Sequence, residues 1–191
     1  MQQKLIDYLI EALKEKGILF DTGLTNNEIS QLENKYGFGF VPDLKAFLQT
    51  ALPISTKFVN WRKGISSESE NETIQSILNW PWDGMKFDLE HSDYWHETWG
   101  KKPDDLMQKI KVAKEYFDTY PKLLPIYGHR FMPSLPNEMS NPVLSVYQMD
   151  IILYGIDLAD YFAGEFGFAL PDEYVRPELK HNIYFWGEFL S

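Results

Sequence analysis

The chain has 191 residues, 44% of them hydrophobic and 24% charged, a composition that can bury a core without disulfides or metals. Its 28 Asp and Glu outnumber 18 Lys and Arg, and the formal net charge of −10 argues against nucleic acid or an anionic membrane surface as partner. Cysteine is absent, which excludes disulfide scaffolds, thiolate zinc sites and cysteine nucleophiles.

The N-terminal segment MQQKLIDYLIEALKEKG mixes acid and base through its apolar residues, unlike a secretion signal. No apolar run approaches the roughly 20 residues of a spanning helix. A cytoplasmic protein is therefore expected. The 4-residue steps Leu5, Leu9 and Leu13, widened by Ile6 and Ile10, predict an amphipathic helix over 3–16 with Gly17 as its stop. Thr25 and Glu28 form a capping box for a second helix that ends at Gly37. Pro42 opens a third, with Leu44, Phe47, Leu48, Ala51 and Leu52 inward and Pro53 as its end. Lys57 to Arg62 reads as a short strand. Ser69 and Glu72 suggest another capping box and a helix to about Asn79. The Trp- and acid-rich stretch that follows breaks the period and reads as loops with a short strand.

Pro103, Asp104 and Asp105 suit the start of a helix over 103–118. From Leu123 the pattern changes to strands: LLPIY, HRFM, VLSVYQ and DIILY, punctuated by Pro, Asn and Gly. Asp157 then caps a helix carrying Leu158, Phe162 and Phe166, closed by Gly167. NIYFWGEFL is a terminal amphipathic piece of undecided type. Helices, then strands, then a helix predict an α+β single domain over 1–191, with a mostly antiparallel central sheet flanked by helices. Its parts are N-terminal helices at about 3–52, a Trp- and acid-rich middle at about 57–118, and a strand block with a C-terminal helix at about 123–191.

Phosphate-binding loops and the G-x-S-x-G elbow are absent. Glu90, His91, Asp93, His96 and Glu97 resemble a metal cluster in composition. However, His96-Glu97-Thr98-Trp99-Gly100 is not HExxH, and His91 and His96 would lie about 140° apart on a helix. No metal and no cofactor is expected. His129, Arg130 and Asp150, next to predicted strands, suggest a charge-assisted structural network, or less readily an acid/base pair. Trp186 reads as core. Trp80 and Trp82 read equally well as core or as a binding surface, because rings among acids suit a basic partner through cation–π contacts.

Two segments carry a resemblance. The first is Leu24-Thr25-x-x-Glu28-Ile29-x-x-Leu32-Glu33-x-x-Tyr36-Gly37, continued by Phe40-Val41-Pro42-Asp43-Leu44-Lys45-x-Phe47-Leu48. The second is Leu124-Pro125-Ile126-Tyr127-Gly128-His129-Arg130-Phe131-Met132-Pro133, continued by Asn141 to Gln148 and Asp150 to Leu158, with Phe185-Trp186 near the end. Together they resemble the SUKH superfamily of cell-wall-synthesis regulators and bacterial immunity proteins. The Gly-Gly usual after the third helix is replaced here by Leu52-Pro53. The resemblance implies an α+β fold and a protein that binds without catalysing. Bacterial members often neutralise a cognate toxin, commonly a nuclease, by masking its active site. The expected partner is a toxin domain with a basic surface. The expected binding residues are Trp82, Asp83, Glu90, Asp93, Trp95 and Glu97, with the two Trp as anchors. The alternatives are a regulatory or scaffold module in cell-wall or signalling assemblies, and a small enzyme or metal protein built on His91, Asp93, His96 and Glu97 or on His129 and Asp150.

Overall fold

The computed structural model describes residues 3–180 and 183–189. It is an α+β chain with two antiparallel sheets. Helix α1 spans Gln3–Glu15 and buries Ile6, Leu9, Ile10 and Leu13, the stripe its spacing predicts. Strand β1 (Phe20–Thr22) pairs with β2 (Ala51–Pro53). Between them lie α2 (Asn26–Tyr36) and α3 (Pro42–Thr50). The Thr25–Glu28 box is complete: the Glu28 N–H donates to the Thr25 hydroxyl at 3.2 Å, and the Thr25 N–H donates to the Glu28 carboxylate at 2.8 Å. Gly37 ends α2 at φ 68°, a left-handed conformation that glycine adopts without strain.

Two expectations for the next stretch are corrected. The third helix stops at Thr50, and buried Leu52 belongs to strand β2. Lys57 to Arg62 is not a strand. Lys57 takes φ 75°, which ends extended backbone, and Asn60 caps helix α4 (Trp61–Ser66) through a bond from the Lys63 N–H.

The larger correction is α5 (Glu68–His91), which Ser67 caps two residues before the predicted Ser69. It continues through Pro81 and so occupies the stretch read as loops. A proline inside a helix costs about 3 kcal/mol. Beyond it the helix buries Met85 and Leu89, each contributing roughly 1.5–3 kcal/mol, which offsets the break. Helix α6 (Leu106–Phe117) is capped by Asp105. Strands β3 (Leu123–Tyr127), β4 (Arg130–Pro133), β5 (Val143–Tyr147) and β6 (Asp150–Gly155) form one antiparallel sheet in chain order. Helix α7 (Leu158–Phe166) follows, capped by Asp157 and closed by Gly167 at φ 65°. Of the terminal NIYFWGEFL segment, Trp186–Phe189 form a short 3-10 turn, while Asn182 and Leu190 lie outside the described residues.

Strands β3, β4 and most of β5 are buried on both faces, while outer strand β6 exposes Asp150, Ile152 and Tyr154. Leu124, Ile126, Met132 and Val143 meet α1, α3 and α7 in one core. Leu123, Phe131, Leu144, Val146 and Ile151 meet Met85, Leu89, Ala113, Trp99, Phe185 and Trp186 in a second. Three turns of α5 grip the β5–β6 turn. The Trp80 indole N–H donates to Val146 O at 3.0 Å, and Asp88 accepts from the Met149 N–H at 2.9 Å. Between them Gly84 lies so close that an added Cβ would sit 2.7 Å from the Gln148 Cα. Among the described residues, no helix is long and apolar enough to cross a membrane.

At the other end, Arg62 joins three elements. It meets Glu28 at 2.6 Å and Asp21 at 2.7 Å, and donates to Gly23 O at 2.9 Å. Chiefly through the Arg62 bond, the Glu28 carboxyl is held down at about 2, from an ordinary 4.5. A carboxyl depressed in the folded state contributes stability that is complete above its unfolded pKa and is lost as pH falls through the folded one. Arg62→Met is therefore expected to lower unfolding free energy by about 1–3 kcal/mol at neutral pH. It should also flatten the loss of stability between pH 4.5 and 2, as read by urea denaturation at stepped pH.

Candidate functional site

The six residues expected to bind a partner fall into two groups. Asp83 and Glu90 lie on the exposed side of α5, and Asp93 and Glu97 are exposed just beyond it. Glu90 has Lys86 at 3.7 Å, one helical turn away, and Asp93 pairs with Lys102, which holds the Asp93 carboxyl below its usual range. The two expected anchors are not free. Trp82 is half-buried, 5.3 Å from the Phe117 ring and capped by the Lys114 ammonium at 5.3 Å. Trp95 packs edge-on against Trp99 at 5.1 Å and donates its indole N–H to Gly100 O at 2.8 Å.

Other rings take their place. Trp80 is 44% and Phe87 45% exposed, and their 7-residue spacing sets them on one face with Asp83 and Glu90. His91 stacks on Phe87 at 4.2 Å. Trp80 lies 6.3 Å from Tyr147, itself 57% exposed at the end of β5. Ile152 and Tyr154 of outer strand β6 are exposed as well, but Ile151 packs toward Met85 and Leu89 of α5, so Ile152 points to the opposite face of the sheet. The result is a ridge of rings bordered by carboxylates. Had the helix period been carried through Pro81 as Ile74, Leu78, Pro81, Met85 and Leu89, it would have put Trp82 near the core and Trp80 outside.

The polar network has a different carboxylate from the one expected. Arg130 is buried, with its guanidinium 3.7 Å over the Tyr154 ring, Nη1 donating to Ser145 Oγ at 3.0 Å and Nε 3.6 Å from Glu165. At that distance the Glu165 contact is an ion pair without a hydrogen bond. Asp150 is exposed at the β5–β6 turn, opposite Tyr147 in register, while Arg130 stands opposite Ser145. His129 is exposed beside the network, and burial, then the Arg130 charge, lower its pKa. Glu165 escaped the sequence reading because it lies 35 residues from Arg130, on a helix read only for its apolar stripe.

The metal-like cluster is not assembled. His91 Nδ1 meets Phe87 O at 3.0 Å, Asp93 turns to Lys102, and His96 lies 2.9 Å from Glu188. Among the described residues, no three His, Asp or Glu side chains are grouped to hold a metal ion. No protein-family model, no curated protein and no solved structure matches the chain.

Removing Glu165 leaves the buried Arg130 charge leaning on a hydroxyl and a ring. Glu165→Ala is expected to cost about 1–3 kcal/mol in urea denaturation. Asp150→Ala should stay within about 0.5 kcal/mol.

Proposed function

We propose that this chain is a non-catalytic protein-binding domain. In this reading it is a SUKH-like immunity protein of the bacterial cytoplasm that masks the basic active site of a nuclease-type toxin. The observation that carries the reading is the exposed side of α5, where Trp80 and Phe87 alternate with Asp83 and Glu90. From Glu68 to Glu97 the chain has eight carboxylates and one lysine, Lys86. A nuclease needs a basic cleft to hold phosphates. An acidic ridge is drawn to such a cleft over long range, and the attraction weakens as salt rises. Exposed rings give the contact its desolvated centre, and aromatic residues are the commonest anchors of protein interfaces.

Co-expression and pull-down with the protein encoded beside it tests the reading. A toxic neighbour should be neutralised and captured one-to-one. Trp80→Ala with Phe87→Ala should weaken binding by about tenfold or more. Asp83→Lys with Glu90→Lys should slow association and reduce its salt dependence in stopped-flow mixing. Several moderate partners and no toxic neighbour would give the regulatory module instead. Capture unaffected by the aromatic pair would remove this surface from the proposal.

A further inference from the structure

On the other flank of α5, away from the acidic ridge, lies a cavity of about 380 Å³. It opens between the end of α2, the middle of α5, the end of α6 and the approach to β3, and among the described residues its wall carries Lys35, Lys114 and Lys122 against a single carboxylate, Asp118. In a chain of net charge −10 this is a concavity of the opposite sign. Lys114 is paired with Asp118. The other two ammonium groups hold backbone oxygens: Lys35 donates to Gly64 O at 2.7 Å, and Lys122 to Tyr36 O at 2.8 Å. A carbonyl uses one of an ammonium's three donors and does not neutralise its charge. Both groups centre on Tyr36, since Lys35 also stands 5.9 Å over that ring. Two lysines with donors to spare therefore line the cavity on its Tyr36 side, one at the ring and one at the backbone oxygen. Trp82 and Phe117, 5.3 Å apart, give the same cavity an aromatic wall, over which the Lys114 ammonium stands at 5.3 and 5.8 Å and must swing aside for a ring to stack.

Ligand sites combine an apolar wall with a few convergent polar groups, in volumes from about 300 Å³ upward. Ammonium groups bind phosphate and carboxylate as point charges, and planar rings stack on indole and phenyl faces. We propose that this cavity binds a small planar ring compound bearing one or two negative charges, with the ring against Trp82 and Phe117 and the charge between Lys35 and Lys122. The site is independent of the acidic ridge, so either can fail alone.

Titration calorimetry of the full chain with AMP and with phenyl phosphate tests it, alongside adenosine, phenol and inorganic phosphate as half-ligands. Amide and indole NMR shifts on the unmodified protein map the site without relying on a variant. The expected result is saturable binding of at least one complete ligand, with shifts at Trp82, Phe117, Lys35 and Lys122. It should be about tenfold tighter than any half-ligand and weakened about tenfold in Lys35→Gln with Lys122→Gln. No saturable binding of either complete ligand, inorganic phosphate binding as tightly as AMP, or shifts confined to another surface would each overturn the proposal.

Discussion

Strands β3 to β5 have no solvent face to spare, and most of the architecture follows from that. Alternate residues of each strand point to opposite sides, and here both sides are apolar: Leu124 and Met132 go one way, Leu123 and Phe131 the other. A sheet in that position needs a cover on each face. The N-terminal helices and α7 supply one. Helices α5 and α6, with Phe185 and Trp186, supply the second. Helix α5 has 24 residues and runs about 36 Å, roughly twice the length of the five-residue strands it covers. The surplus helix cannot all be buried against the sheet, and its outer side is where the exposed rings and carboxylates stand.

Charge is placed with the same economy. The one arginine on a buried strand face, Arg130, is flanked by an aromatic ring, a hydroxyl and a carboxylate, which together offset its loss of water. Around α5, charge is sorted by side. The outer flank carries Asp83 and Glu90, and the inner cavity gathers Lys35, Lys114 and Lys122. The two sets lie on different sides of the helix, so the same element separates charge of opposite sign.

Much of the fold was legible wherever a local signal had a local cause. The Thr25–Glu28 box, the glycine stops at Gly37 and Gly167, the Asp157 cap and the four strands after Leu123 all lie where their residues put them. The misreadings share a cause too: each outcome was decided by something distant. Pro81 looked like a terminator because the gain from Met85 and Leu89 is realised only when they meet the sheet. Ala51 to Pro53 looked like the end of a helix because the strand it pairs with lies 30 residues earlier, and three residues are too few to show alternation. For the candidate surface, the carboxylates Asp83 and Glu90 were legible from composition. The choice of Trp80 and Phe87 over Trp82 and Trp95 was not, because it depends on helical phase through the proline. Arg130 was legible as a residue needing a partner, and Glu165 as that partner was not.

The contribution of Phe185 and Trp186 to the second core has a consequence for synthesis. Phe185 stacks on Tyr120 at 3.7 Å and the Trp186 indole N–H donates to Pro121 O at 2.7 Å, so they seal a layer whose other members come much earlier in the chain. As the polypeptide leaves the ribosome, the first layer has all its parts once Tyr174 has emerged. One side of the sheet must then wait, apolar and uncapped, for the twelve residues that lead to Trp186. Until they arrive, the open apolar face is a surface for self-association.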